Sequence, residues 1–414
     1  MSATAAATVR ALQKQHASWP YGELDVESLR LNGWRPTPVR DFIVKVHERC
    51  NLACDYCYVY ESEDLSWRDR PAIMSPETWR TTVEKIHRHV RRHGTTRIRV
   101  ILHGGEPMLL GAARIGELAA DLRATLEPGC DVEVGMQTNG VLLNERALTH
   151  LRRHRIKVGI SIDGTRADHD RHRVFRNGNG SFDKVSAALE LLRRPENRPC
   201  FAGLLCTVAP DADPVETYAT LRSFDPPLIN FLLPHANWAH PPYRPGGAPT
   251  AYGDWLVQVF DIWYSEHKPP GVHLFEDVIT LLLGGRGSSE QIGLSPAALV
   301  VIESDGMIEQ ADSLKTAYAG APVTGLSIHE NEIDEIFTDP GVVARQLGVA
   351  ALSAQCFDCP IRDVCGGGHY AHRYRAGVGF RNPSVYCEDM KRIIGHVRDR
   401  VARDIEKLKE GVPA

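Results

Sequence analysis

The sequence predicts an α/β protein: a parallel sheet, open or barrel-like, followed by a smaller cysteine-rich domain. Three observations carry this. Six short β-rich runs alternate with helical stretches from about residue 40, the alternation breaks near Pro234, and seven of the ten cysteines fall into two clusters on either side of that break. Six strands joined by helices imply right-handed crossovers between parallel neighbours. Eight such units would close a full barrel, and this chain shows six.

The elements follow in order. Phe42 to Val46 reads as the first strand. Ser75-Pro76-Glu77 then starts a helix, with a Ser cap, a Pro in the first turn and an acid at the positive helix end. Its apolar residues Trp79, Val83, Ile86 and Val90 recur near the helical period. Ile98 to Leu102 is the second strand, and Ile115, Leu118, Leu122 and Leu126 mark the next helix. Val132 to Met136, Ile156 to Ile160, Phe201 to Val208 and Leu228 to Leu233 complete the six strands. The Pro- and Gly-rich stretch HPPYRPGGAPT after them reads as a linker. Helical patterns return over 251–267 and 275–283, and 298–310 reads as a hairpin turning at Asp305-Gly306. A terminal helix places Met390, Ile394, Val397, Val401, Ile405 and Leu408 on one face. The expected units are an extension over 1–39, the α/β domain over 40–240, a helical linking region over 241–296 and the cysteine-rich domain over 297–414.

Composition narrows the function. Apolar residues at 43% and charged residues at 24% exclude disorder, collagen and coiled coil. With 48 Lys plus Arg against 52 Asp plus Glu, the chain has no global electrostatic claim on nucleic acid or an anionic membrane. No apolar run approaches the roughly 18 residues of a membrane helix, and the N-terminus lacks a secretory pattern. A cytoplasmic location is expected. There, clustered cysteines point to metal or redox chemistry rather than disulfides. Cys130, Cys200 and Cys206 are isolated; Cys200 and Cys206, bracketing strand five, read as buried small hydrophobes, and the basic run from His87 to His93 as a solvated helix face.

The first cluster, Cys50-x3-Cys54-x2-Cys57, follows the first strand directly. Loops at the C-terminal ends of parallel strands are where such folds place active sites. Three thiolates can hold a [4Fe–4S] core with one iron free, or a zinc knuckle that recruits His47 as its fourth ligand. Strand two ends in His103-Gly104-Gly105-Glu106-Pro107, where two glycines permit close backbone approach and a carboxylate can accept from an ammonium group. Gln137-Thr138-Asn139-Gly140 closes strand three and Ser161-Ile162-Asp163-Gly164 closes strand four, both with small polar side chains. His169-Asp170-x-x-Arg173 and Gly178-x-Gly180-Ser181-Phe182 follow. Arg173 suits a carboxylate partner or a surface ion pair.

These motifs, in this order, resemble the radical S-adenosylmethionine (SAM) enzymes, whose fold is a partial (β/α)6 barrel. The resemblance implies that Cys50, Cys54 and Cys57 bind a [4Fe–4S] cluster whose fourth iron takes SAM. It further implies that Tyr56 lies against the adenine. Gly104, Gly105 and Glu106 correspond to the motif that holds the SAM amino group, and Gln137, Asn139, Ser161, Asp163 and Arg173 to segments lining the SAM site.

The second cluster is Cys356-x2-Cys359-x5-Cys365, with Cys387 beyond a gap. Alone it fits a zinc ribbon or an iron–sulfur cluster equally. After the first domain it resembles the SPASM extension of peptide-modifying radical SAM enzymes, which carries auxiliary [4Fe–4S] clusters. Full SPASM domains have a further cysteine where this chain has His369, and cysteines around the hairpin where it has Ala311. The resemblance therefore implies two [4Fe–4S] clusters in all, one binding SAM and one auxiliary. Asp312, after Ala311, corresponds to an acid that serves as base in sulfatase-maturing members; capping the hairpin or pairing with Lys315 is the other reading.

The run from Lys45 to Glu61 is most similar to maturases that form three-residue cyclophanes, joining an aromatic ring carbon to the β-carbon of a nearby residue. The expected partners are a ribosomal precursor peptide and an external one-electron donor such as flavodoxin or ferredoxin, with neither nucleic acid nor membrane. A thioether-forming maturase, a formylglycine-forming sulfatase maturase and a non-catalytic zinc scaffold remain the alternatives.

Overall fold

The computed structural model describes residues 16–127 and 129–410. Its sheet contains the six expected strands: β1 (Asp41–His47), β2 (Arg97–Gly104), β3 (Asp131–Thr138), β4 (Lys157–Ser161), β5 (Phe201–Thr207) and β6 (Leu228–Leu232). Each pairs in parallel with the next in sequence. Right-handed βα crossovers place neighbours in sequence side by side. The helix Pro76–His93 begins as expected: Ser75 accepts from the Thr78 amide and Pro76 occupies the first turn.

Four further strands extend this set. β7 (Gly271–Val272) pairs with β6, and β8 (Leu299–Ile302) pairs in parallel with β1. β9 (Met307–Glu309) runs antiparallel to β8, and β10 (Val323–Ser327) antiparallel to β9. The expected Asp305-Gly306 hairpin is thus present as β8–β9, but it does not stand apart. It continues the barrel sheet from the β1 edge, in the order β10-β9-β8-β1-β2-β3-β4-β5-β6-β7. β7 and β10 are too short or too polar to show a strand period in the sequence.

Alternation along the strands decides which side chains face inward. Phe42, Val44, Val100, Leu102, Val132 and Val134 are buried against the helices. The opposite set, including Ile43, Ile101, Gly135, Gln137, Gly159 and Asn230, lines a cavity of about 650 Å³ on the inner face. Glycines at inner positions of β3 and β4 leave this space open.

Several expectations change. The stretch after Pro234 is pinned down: the Tyr386 hydroxyl donates to the Pro234 carbonyl (2.9 Å) and Trp238 Nε1 to the Pro383 carbonyl (2.7 Å). Buried Asp389 accepts from the Tyr252 and Gly253 amides (3.0 and 2.9 Å), fastening helix Ala251–Ser265 to the terminal helix Cys387–Lys409. That terminal helix buries Met390, Ile394, Val397 and Val401, but Ile405 and Leu408 are exposed. The basic run is not wholly solvated either. His89 is buried, its ring bonded to the Asp334 carboxylate (2.6 Å) and the Val39 carbonyl (3.2 Å). Cys200 and Cys206 are buried as expected, and Cys130 is buried too. Trp19, before the barrel, joins a second core with Leu314, Tyr318, Tyr370, Tyr374 and Phe380.

Candidate active site

The cysteine loop leaves the end of β1 and is fastened to the segment after helix Arg166–His172. The Ala53 amide donates to the Val174 carbonyl (2.8 Å), the Asp55 amide to the His172 carbonyl (3.3 Å), and Leu52 bridges Phe175. Cys50, Cys54 and Cys57 are free and half-buried. Burial pushes the Cys50 thiol up to about 12, with Cys54 and Cys57 raising it further, and burial raises Cys54 and Cys57 as well. Three thiols on one loop are a donor set that an iron core could take once they are deprotonated. His47 does not turn to them; its Nδ1 meets the backbone of Arg49 at 3.2 Å.

The glycines at the end of β2 make a close contact that the sequence did not suggest. A Cβ at Gly104 (φ +151°) would stand 2.0 Å from the His47 carbonyl oxygen, and one at Gly105 would stand 1.8 Å from the Tyr60 hydroxyl. What approaches this backbone is the cysteine loop itself. The Gly105 amide donates to the His47 carbonyl (2.9 Å) and the Glu106 amide to the Arg49 carbonyl (3.0 Å). Glu106 is 1% exposed. Its carboxylate accepts from the Thr138 hydroxyl (2.7 Å), the Met108 amide (2.9 Å) and the Asn139 amide (2.8 Å). An ionised carboxylate offers about four acceptor positions, so one remains for an outside donor.

Asn139 turns its Nδ2 to Asn51 Oδ1 (2.8 Å) and the Cys50 sulfur (3.8 Å), tying the end of β3 to the loop. Gln137 donates to the Ser161 hydroxyl (2.9 Å) across β3 and β4. Tyr56, Asp163 and Arg173 meet: the Tyr56 hydroxyl donates to Asp163 and accepts from Arg173 (2.8 Å). Arg173 is therefore no surface ion pair. Asp163 also accepts from the Thr207 amide (3.0 Å). Hydrogen bonds thus tie Glu106 and Asn139 to the cysteine loop, and Asp163 and Arg173 to Tyr56 within it.

The other four cysteines converge from distant segments. Cys356 and Cys365 lie in short helices, and Cys387 opens the terminal helix. Burial pushes Cys365 up to about 12, with Cys387 and Cys356 close enough to raise it further. Burial likewise raises Cys387, with Cys356 and Cys359 adding to it. Cys387 thus neighbours Cys356, Cys359 and Cys365.

Asp312 sits in a buried ionic network. Its carboxylate meets Lys45 Nζ at 2.7 Å and Lys315 Nζ at 3.3 Å. Lys315 also pairs with Glu303 (2.9 Å), and Arg70 with Glu303 (2.8 Å) and Glu309. Burial alone would raise Asp312, but Lys45 and Lys315 outweigh it and hold the carboxyl below its ordinary range. Burial pushes Glu48 up to about 8, with Glu303 beside it favouring the proton further. Asp312 lines the inner cavity together with Tyr58, His103 and Gln137.

Sequence reasoning missed Lys45, Glu48, Arg70, Glu303 and Glu309 as parts of this site. One signal was available: Lys45 interrupts the apolar run of the first strand, and a buried lysine demands a carboxylate.

Residues 44–212 match the family model described as the radical SAM superfamily. The fold is that of the radical SAM family. The cysteine-type anaerobic sulfatase-maturating enzyme of Clostridium novyi (strain NT) is 24% identical over 356 residues, spanning 83% of this chain and 90% of that relative. Native anSMEcpe with bound AdoMet and Cp18Cys peptide superposes with a TM-score of 0.75 at 22% identity, covering 89% of this chain and 99% of that one. Streptococcus suis SuiB bound to precursor peptide SuiA gives 0.59 at 13% identity, covering 87% and 78%. These structural likenesses establish the radical SAM fold through the cysteine-rich region. Among the described residues, no helix is long and apolar enough to cross a membrane.

Proposed function

We propose that this chain is a radical SAM enzyme that modifies a ribosomally made peptide, joining an aromatic ring carbon to the β-carbon of a nearby residue. The observation that supports the reading most is one cavity lined by Tyr58 of the cysteine loop, by Gln137 at the end of β3 and by Asp312 after β9. Cys50, Cys54 and Cys57 would hold a [4Fe–4S] cluster. Glu106, Gln137, Asn139, Ser161, Asp163 and Arg173 would receive SAM beside Tyr56, and Cys356, Cys359, Cys365 and Cys387 would hold an auxiliary cluster. When bound, and fed by an external one-electron donor such as flavodoxin or ferredoxin, these groups supply hydrogen abstraction from unactivated carbon and single-electron transfer.

The residues themselves handle placement and protons. Lys45 and Lys315 keep Asp312 ionised, so it can accept a proton at once. A low pKa makes it a weak base. That suffices for a ring carbon that has formed a new bond and lost an electron, because regaining aromaticity makes its proton strongly acidic.

A second reading, formylglycine formation, is favoured by the likeness to the Clostridium novyi enzyme. Ala311 and His369, standing in place of SPASM cysteines, speak for the first. The test supplies the reconstituted enzyme with SAM, reductant and a short aromatic-rich precursor encoded beside its gene. Loss of two hydrogens and an interval without backbone fragments in tandem mass spectrometry are expected. An Asp312→Asn variant should lose product yet still transfer deuterium from labelled peptide to 5′-deoxyadenosine. Oxidation of a Cys or Ser in a sulfatase peptide, with no crosslink in any precursor, would overturn the reading in favour of the second.

A further inference from the structure

We infer that His235, His369 and His372 form a mononuclear site for a divalent transition metal such as zinc, facing the substrate cavity. One imidazole nitrogen from each lies within 4.8 Å of both others. The ring centroids are 5.3 Å apart for His235 and His369, 5.8 Å for His235 and His372, and 4.9 Å for His369 and His372. A tetrahedral ion about 2.0–2.1 Å from three imidazole nitrogens would set the centroids about 5 Å apart and the nitrogens about 3.4 Å apart. Small ring rotations convert one arrangement into the other.

The hydrogen bonding around the rings supports a ligand. Nδ1 of His235 and Nε2 of His372 are buried with no hydrogen-bond partner among the described residues, and His372 is 4% exposed. Buried imidazole nitrogens left unpaired carry a desolvation cost that a metal would offset. Nδ1 of His369 accepts only a long bond from the Ala371 amide (3.3 Å), which coordination through that atom would displace. Imidazole binds a metal in its neutral form, through the nitrogen that carries no proton.

Two other groups of possible ligands lack this character. His89 and His93 already bond Asp334 (2.6 and 2.8 Å), and the Glu303, Glu309 and Asp312 carboxylates are taken by Lys315, Arg70 and Lys45.

The fold builds the site deliberately. His369 follows Gly366, Gly367 and Gly368, all left-handed (φ +60°, +80° and +69°). Arg373 binds this curl by donating to the carbonyls of Gly366 (2.7 Å) and Gly368 (2.6 Å). His235 comes from the segment after β6, edge-on to Tyr58 of the cysteine loop at 4.8 Å. Arg345 and Arg373 on the His369 side would weaken binding of a cation, while Asp312 on the His235 side would strengthen it. All three histidines line the same cavity as Asp312. A three-histidine ion there keeps a position open, as catalytic zinc sites do, for a carboxylate, imidazole or hydroxyl of the peptide.

The test is a metal titration of the cluster-loaded enzyme, after mild chelation and without peptide, using Zn²⁺ and then Co²⁺ under anaerobic conditions. One tight equivalent beyond the cluster iron is expected, with the intense visible bands of low-coordinate Co²⁺. A His369→Leu/His372→Leu variant with unchanged iron content should lose that equivalent, whereas His93→Ala should keep it. If the double variant fails to fold, His235→Gln, on a different segment, should lose the Co²⁺ bands in its place. Absence of a tight equivalent in the wild type, or equal binding by the folded histidine variants, would overturn the inference. The readout requires no turnover, so it stands or falls apart from the proposed peptide crosslink.

Discussion

Replacing Glu48 by Gln should remove a pH dependence of stability that the wild type carries. Glu48 is fully buried beside Glu303, and burial with that neighbour raises its carboxyl from the ordinary 4.5 to about 8. A carboxyl whose pKa is higher folded than unfolded binds more protons in the folded state. Its contribution therefore weakens as pH rises from about 4.5 and is lost beyond about 8. The slope is about 1.4 kcal/mol per pH unit, or on the order of 5 kcal/mol across that window. Gln reproduces the shape and the donor of the protonated acid but does not titrate. Wild type and Glu48→Gln should thus have similar stability near pH 5, with the variant progressively ahead towards pH 8. Comparing the two cancels the titrating groups remote from Glu48. The assay is the denaturant midpoint of both proteins at several pH values, under anaerobic conditions. Infrared spectroscopy supplies a second readout: a protonated buried carboxyl band that titrates near pH 8 and is absent in the variant. Parallel pH profiles, or an unchanged infrared band, would refute a protonated Glu48 and with it this account of the network.

Replacing Cys50, Cys54 and Cys57 together by Ala should abolish 5′-deoxyadenosine formation under dithionite while iron persists at Cys356, Cys359, Cys365 and Cys387; chromatography and iron analysis check both. Cys359→Ala/Cys387→Ala, if folded, should still cleave SAM but yield unmodified or deuterium-exchanged peptide, as mass spectrometry would show. Gly105→Ala places a Cβ against the Tyr60 hydroxyl and the Arg49 carbonyl, so SAM affinity should fall at least tenfold by equilibrium binding, about 1.4 kcal/mol or more. Lys45→Met leaves Asp312 with Lys315 alone and should cost about 3–5 kcal/mol of stability in denaturant melts, the usual penalty for breaking a buried pair.

Much of the barrel was legible because its signals are local. Strand alternation, helix caps and the Cys50-x3-Cys54-x2-Cys57 loop each depend on a few adjacent residues, and β1 to β6 appear where the periodicity places them. The polar residues Glu106, Gln137, Asn139, Ser161 and Asp163 were legible for the same reason: they stand at or just past the ends of β2, β3 and β4, and parallel strands bring those ends to one rim. The packing of the cysteine loop on Gly104 and Gly105 was not. Only packing shows that their bare backbone receives the cysteine loop.

What the sequence by itself determined is the supply of chemistry: two clusters of cysteines, polar strand ends beside the first, and a lysine set into an apolar strand. The tertiary structure alone decided which distant residues share that chemistry. β8 adds to the edge of β1, and this carries Glu303, Glu309 and Asp312 to Lys45 and Glu48. The segment after β6 meets the glycine curl before His369, and this brings three histidines to one wall of the cavity. Spacing along the chain carries no record of such meetings, because they are fixed by how the sheet closes and what packs against its edges.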